Sequence, residues 1–299
     1  MPEDQADKLR RMKRLERNSG LPRQRRRNGG AHRIAVTSGK GGVGKSNFAL
    51  NCAIALAKLE QRVLLIDADT NLANLDILLG LNTPHNLSDV IVGDKLIREI
   101  IVPGPGGIDI LPGSSGVLEM MDLDLQVQRR LVEAFAMLEQ DYNFIIIDTG
   151  AGLTPSILAY VTSADEVVLV TNQEPTSIAD AYAMIKVISH HNPTLPIRMM
   201  VNLVGSREEA VDVFDRLNLV VQNFLNIPVE LLGYLPRDHS VVMAVASQKA
   251  FILQYPKARA SVLLQMTARK LLARKRQGTG ENSASLLERM IEGGKPNDA

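Results

Sequence analysis

Eight residues, Gly39-Lys-Gly-Gly-Val-Gly-Lys-Ser46, constrain this chain more than any others, because they satisfy the pattern G-x-x-x-x-G-K-S/T at every fixed position. Before them, Arg33-Ile-Ala-Val-Thr-Ser38 predicts a short buried strand, and after them Phe48 to Leu59 is Ala- and Leu-rich with a helical pattern. A glycine-rich loop between a strand and a helix lets successive backbone N–H groups converge on one anion. The start of the helix adds its partial positive charge. The stretch therefore reads as a cradle for a nucleoside triphosphate, formed by Gly39, Gly41, Gly42, Val43, Gly44, Lys45, Ser46 and Asn47. Lys45 is expected on the β- and γ-phosphates and the Ser46 hydroxyl on Mg2+. An ordinary glycine-rich turn is the plain alternative, and the terminal Lys-Ser and both neighbours count against it.

Arg62-Val-Leu-Leu-Ile-Asp-Ala-Asp69 is an apolar strand whose C-terminal end delivers two carboxylates one residue apart. Strand alternation points Asp67 and Asp69 to the same side, towards the crevice where α/β sheets bind ligands. Their alternative use is as turn or helix caps. Residues 70–80 read as a loop that responds to the γ-phosphate. Further short aliphatic runs at 108–111, 144–147, 167–170 and 197–201 alternate with helical patterns at 126–138 and 176–189. That alternation predicts a mostly parallel sheet covered by helices on both faces. The run at 144–147 ends in Asp148-Thr-Gly-Ala-Gly152, and Asp148 is the expected magnesium carboxylate of a phosphate-loop enzyme, beside a loop free to move.

The fold class expected is α/β: a single P-loop NTPase domain over 31–276, with a flexible N-terminal arm over 1–30 and a linker and tail helix over 277–299. The formal charge of +1 hides an asymmetry, since Lys8 to Arg33 carries eleven Lys or Arg against one Glu. The arm reads as a solvated charge run, or electrostatically as a nonspecific nucleic-acid contact; no aromatic residue interleaves its charges for base stacking. Asp4 can cap a short helix with Ala6, Leu9, Met12 and Leu15 on one side. Cys52, the only cysteine, excludes an intramolecular disulfide and the paired cysteines of an iron–sulfur site. No apolar run is long enough to cross a bilayer and no secretory signal pattern opens the chain, so a cytoplasmic setting is expected. Residues 255–275 read as the last core helix, followed by a short helix with Leu286, Leu287, Met290 and Ile291 on one apolar side.

Taken together these stretches resemble the deviant Walker A branch of phosphate-loop ATPases, the ParA/MinD group, and within it the flagellar-number regulators (FlhG, FleN or YlxH). The deviant feature is Lys40, directly after the first glycine. The resemblance implies that Lys40 reaches across a nucleotide-sandwich homodimer to the partner's phosphates, so that a cation supplied in trans couples assembly to hydrolysis. Asp67 to Asp76 resembles the first switch, with Asp69 positioning the attacking water, and Asp148 to Gly152 the second, although many relatives have Ala or Pro where Gly150 stands. Asn202, Pro236 and Asp238 match adenine-contacting positions, which implies ATP over GTP. The resemblance also implies an ATPase with catalytic Lys40, Lys45 and Asp69, and a Mg2+ site of Ser46, Asp67 and Asp148. The arm matches a D-Q-A-x-x-L-R motif through Asp4, Gln5, Leu9 and Arg10, which implies activation of the FlhF GTPase.

Other partners implied are a flagellar transcription regulator or switch-complex protein, and a reversible membrane surface at the inner face of the cell membrane, met by Leu286, Leu287, Met290 and Ile291. The acidic Glu288 and Glu292 weaken the attraction of that helix to anionic lipid, and packing on its own domain is its alternative. Two other functions remain in view: a partition ATPase binding DNA through Lys8 to Arg27, and an adaptor that binds nucleotide without hydrolysing it.

Overall fold

The computed structural model describes residues 30–69, 74–81, 83–113, 125–277 and 284–293. The arm, including Asp4, Gln5, Leu9 and Arg10, lies outside the described residues. From residue 30 the chain forms β1 (His32–Ser38), α1 (Lys45–Ala57), β2 (Val63–Ala68), α2 (Asn74–Leu79), α3 (Leu87–Val92) and α4 (Ile97–Ile100). It continues through β3 (Val102–Pro103), β4 (Asp109–Leu111), α5 (Leu125–Glu139), β5 (Phe144–Ala151), α6 (Pro155–Ser163), β6 (Glu166–Thr171) and α7 (Pro175–His191). The last elements are β7 (Ile197–Val204), α8 (Arg207–Phe224), β8 (Val229–Pro236), α9 (His239–Ala246), α10 (Phe251–Gln254), α11 (Arg259–Gln277) and α12 (Leu286–Gly293).

The strands form one eight-stranded sheet in the order β3-β4-β2-β5-β1-β6-β7-β8. Every neighbouring pair is parallel except β3 with β4. Strands covered on both faces need apolar residues in every position, and Phe144-Ile-Ile-Ile147 supplies them: Phe144 and Ile146 join one core, Ile145 and Ile147 another. The first core is closed by α1, α10 and α11 through residues such as Phe48, Phe251 and Leu264. The opposite face is closed by α5 and α6 beside β2 and β5, and by α7 and α8 beside β6 and β7.

This arrangement places β1 in the middle of the sheet. The C-terminal ends of β1, β2 and β5 lie side by side, with Asp67 paired in register with Asp148.

One expectation changes. Residues 74–79, read as loop, are helical. Leu75 anchors that short helix in the first core, and its N–H donates to Asp67 Oδ2 at 3.3 Å. The tail helix α12 takes in this structure the alternative stated for it, packing on its own domain. Leu286, Leu287 and Met290 are buried with Leu131, Phe135 and Tyr160 of α5 and α6, and Ile291 is half-buried.

The physical reason is that the α5–α6 face of the sheet needs a cover, and three buried aliphatic side chains contribute about 1.5–3 kcal/mol each. Polar anchors fix its position. Glu139, on α5, accepts the Leu286 N–H at 2.7 Å and pairs with Arg33 at 3.1 Å. Burial pushes the Glu139 carboxyl up, with the Arg33 charge pulling it back. Arg33 Nη2 also donates to the Ala284 carbonyl at 2.8 Å. Arg289 reaches Asp165 Oδ1 at 2.9 Å and the Ser163 carbonyl at 3.1 Å.

Candidate nucleotide site

The loop after β1 turns on glycines that nothing larger could replace. Gly44 has φ of +88°, and a Cβ there would lie 2.2 Å from Asn202 Nδ2. A Cβ on Gly39 would lie 2.5 Å from the backbone of Asp180 in α7. The loop is thus held between β7 on one side and α7 on the other. Asn202 Nδ2 donates to the Val43 carbonyl at 2.7 Å and Ser38 Oγ to the Lys40 carbonyl at 2.9 Å.

Below the loop sits a buried ion pair: Lys45 Nζ lies 2.7 Å from Asp148 Oδ1 and 3.3 Å from Ser46 Oγ. The ammonium has three donors, so one remains for a phosphate oxygen. Burial pushes the Asp148 carboxyl up, against the pull of Lys45. Asp67 is buried on the neighbouring strand and its carboxyl is pushed up to about 7, first by burial and then by the charge of Asp148. Backbone N–H groups of Asp69 and Leu75 hold its two oxygens. Asp69 reaches the second acidic loop: a Cβ on Gly150 would lie 3.4 Å from Asp69 Oδ1.

The residues themselves test whether a divalent cation fits. Asp148 Oδ2 is buried and makes no hydrogen bond. Two buried carboxylates beside each other disfavour ionisation of both, and a dication reverses that penalty. Two carboxylates and the Ser46 hydroxyl leave the other positions of an octahedron to water and phosphate, as Mg2+ prefers. These residues fit Mg2+.

Lys40 stands apart from this cluster. Its Nζ lies 2.5 Å from Glu174 Oε2 and 3.1 Å from Thr176 Oγ1, at the start of α7, with the side chain 39% exposed. That hydrogen bond, with the Lys40 charge, holds the Glu174 carboxyl below its usual range.

The three positions matched to adenine divide. Asn202 is at the loop, with Oδ1 accepting the Leu203 N–H at 2.9 Å and Nδ2 on Val43, so one amide hydrogen is left for a base. Pro236 ends β8 beside Val204. Asp238 has a structural use as well. It is the N-cap of α9, accepting the Ser240 N–H at 3.0 Å and the Ser240 hydroxyl through Oδ1, while Oδ2 accepts the Ala260 N–H at 3.1 Å. Its carboxylate joins α9 to α11, and with three hydrogen bonds accepted Oδ2 keeps a lone pair open to an exocyclic amine. The grip of Glu174 and Thr176 on Lys40 was missed in the sequence. Its only signal there was an acidic residue before a proline at a helix start.

A sequence profile described as an AAA domain matches residues 31–199. The antiactivator FleN of Pseudomonas aeruginosa is 40% identical over 238 residues, covering 80% of this chain and 85% of that one. The chain belongs to the ParA/MinD family of phosphate-loop ATPases. Within this family, the flagellum site-determining protein YlxH of Helicobacter pylori is 37% identical over 204 residues, covering 68% of this chain and 67% of that one. Among solved structures, MinD in its complex with MinC from Aquifex aeolicus has a TM-score of 0.65 at 29% identity, covering 81% of this chain and 96% of that chain. MinD of Pyrococcus horikoshii, complexed with Mg-ADP, has a TM-score of 0.64 at 26% identity, covering 82% and 98%. Membership in the ParA/MinD family carries nucleotide binding and ATPase activity in general. Among the described residues no helix is long and apolar enough to cross a membrane.

Proposed function

We propose that this chain is an ATP-dependent switch that dimerises face to face, hydrolyses ATP slowly and regulates flagellar number or placement through partner proteins. The observation that carries the reading is the separation of the two lysines of one loop. Lys45 is buried under the loop on Asp148, while Lys40 is held at the outer mouth on Glu174. An exposed ion pair is worth only about 0–1 kcal/mol, so redirecting Lys40 to a phosphate on a second copy costs little.

Mg2+ at the site supplies charge neutralisation on the phosphate oxygens. Ser46, Asp67 and Asp148 hold it, Lys45 neutralises the β- and γ-phosphates, and Asp69 orients the attacking water. Asn202 and the backbone at Pro236 face the base, which favours adenine. The names antiactivator and flagellum site-determining protein support a flagellar output. In this reading Asp4, Gln5, Leu9 and Arg10 activate an FlhF-like GTPase, and further partners are a flagellar transcription regulator or switch-complex protein. The chain works in the cytoplasm and reaches the inner face of the cell membrane reversibly, which requires α12 to leave its groove so that Leu286, Leu287, Met290 and Ile291 become available.

The test is the solution mass of the full chain carrying Asp69→Ala, with Mg-ADP and with Mg-ATP. The expected result is a doubled mass with ATP alone. An unchanged mass with bound ATP would overturn the dimerising switch and leave a monomeric adaptor.

A further inference from the structure

Four non-glycine residues among those described have positive φ: Glu60, Leu203, Asn226 and Gln248. Three of them end helices. Glu60 follows α1, Asn226 follows α8 and Gln248 follows α9, where the next or same N–H closes onto the last helical carbonyls, as left-handed caps do. Leu203 is different, because it lies inside strand β7 with φ of +59°. A bulky residue in this region is strained and persists only where its surroundings impose it.

Those surroundings are explicit. The register of β7 on β8 slips between Val201 and Val204, so that three steps on β7 face two on β8. This is a bulge, a device that redirects a side chain beside a site. Asn202 Oδ1 accepts the Leu203 N–H at 2.9 Å, Arg237 Nε donates to the Leu203 carbonyl at 2.9 Å, and Arg237 N–H donates to the Val204 carbonyl at 2.9 Å. The result is that Leu203 is 37% exposed while its neighbours in the strand are buried. The residue before it touches the phosphate loop through Val43, and the loop holding its carbonyl is the one that follows Pro236. An aliphatic side chain is thus turned outward at the mouth of the cradle, at the cost of backbone strain.

We infer that Leu203 is the apolar platform on which the base of the bound nucleotide packs, fixed by the β7 bulge and by Arg237. This rests on the nucleotide reading above and adds to it a residue that makes the base, rather than the phosphates, a source of affinity. A purine offers the flat apolar face that such a side chain fits, and removing the side chain takes that contact away without touching the phosphate cradle.

The experiment titrates the full-length chain with Mg-ADP and, separately, with magnesium and inorganic tripolyphosphate, which has the phosphates and no base. Leu203→Gly and Leu203→Asn both tolerate positive φ, so neither strains the bulge. The expected result is a loss of ADP affinity of about fivefold to tenfold in both variants. Tripolyphosphate affinity stays at the wild-type value, and Leu203→Gly melts at or above the wild-type temperature. ADP affinity unchanged from wild type would overturn the inference, as would equal losses for ADP and tripolyphosphate, which would mean that the bulge merely shapes the loop. Wild-type protein that binds neither ligand would overturn the nucleotide reading and the inference with it.

Discussion

Asp67 carries a charge that the folded protein holds at a cost. Its carboxyl titrates near 7 in the fold against an ordinary carboxylate value when unfolded. Below about pH 4 the group is protonated in both states. As pH rises towards 7 the unfolded chain ionises while the fold keeps its proton, so stability falls across that window. Asp67→Asn, which removes the titration, is therefore expected to raise stability at pH 8 by about 1–3 kcal/mol and to leave it near the wild-type value at pH 4. Urea unfolding of metal-free protein at the two pH values checks this. An equal effect at both would mean that packing, not ionisation, separates the variants. Asp148 and Asp238 show what residue type alone leaves undecided. Each is an acid after an apolar run, yet Asp148 lies inside β5, buried on Lys45, and Asp238 follows β8, capping α9 and holding α11. Only the register and the neighbour's position distinguish a carboxylate buried on a lysine from a helix cap.

At the scale of elements, α12 is the last piece added and the one whose attachment can be separated from the rest. Its apolar side fills the α5–α6 cluster, and Arg289 binds Asp165 and the Ser163 carbonyl on its polar side. Charge-assisted hydrogen bonds are worth about 1.5–3 kcal/mol, so Arg289→Ala should speed amide exchange over residues 286–290 by tenfold or more. Exchange in β1, β5 and β6 is expected to stay unchanged. Unaltered exchange in α12 would show that the buried leucines alone hold it.

The strands at the middle of the sheet were legible in the sequence because burial on both faces demands unbroken aliphatic runs, as in Phe144 to Ile147. The same was true of the loop after β1. The helix α2 was not legible, since six residues beside a predicted switch are helical only through Leu75 in the core and its bond to Asp67. Nor was the orientation of α12. An amphipathic pattern gives an apolar side and leaves open whether lipid or protein covers it.

At the scale of the whole molecule, the sheet order sets β1 between β5 and β6, and this gathers residues from opposite ends of the domain on one edge. Lys40 stands at that edge, paired with Glu174 and beside Thr176. Lys40→Ala is expected to leave nucleotide binding by the monomer within about twofold of wild type, because an exposed ion pair contributes little. It should abolish the ATP-dependent doubling of mass or slow turnover. Light scattering alongside phosphate release measures both, and a normal dimer with normal turnover would remove Lys40 from any role in trans.

The bond between Arg33 and the Ala284 carbonyl brings the entry of the domain against its exit, at the ends of the strands away from the phosphate loop. The molecule is therefore polar in a geographical sense, with the phosphate loop at one pole and the Arg33–Ala284 junction at the other. A partner that bound at Arg33 and one that bound at Ala284 would approach from the same hemisphere.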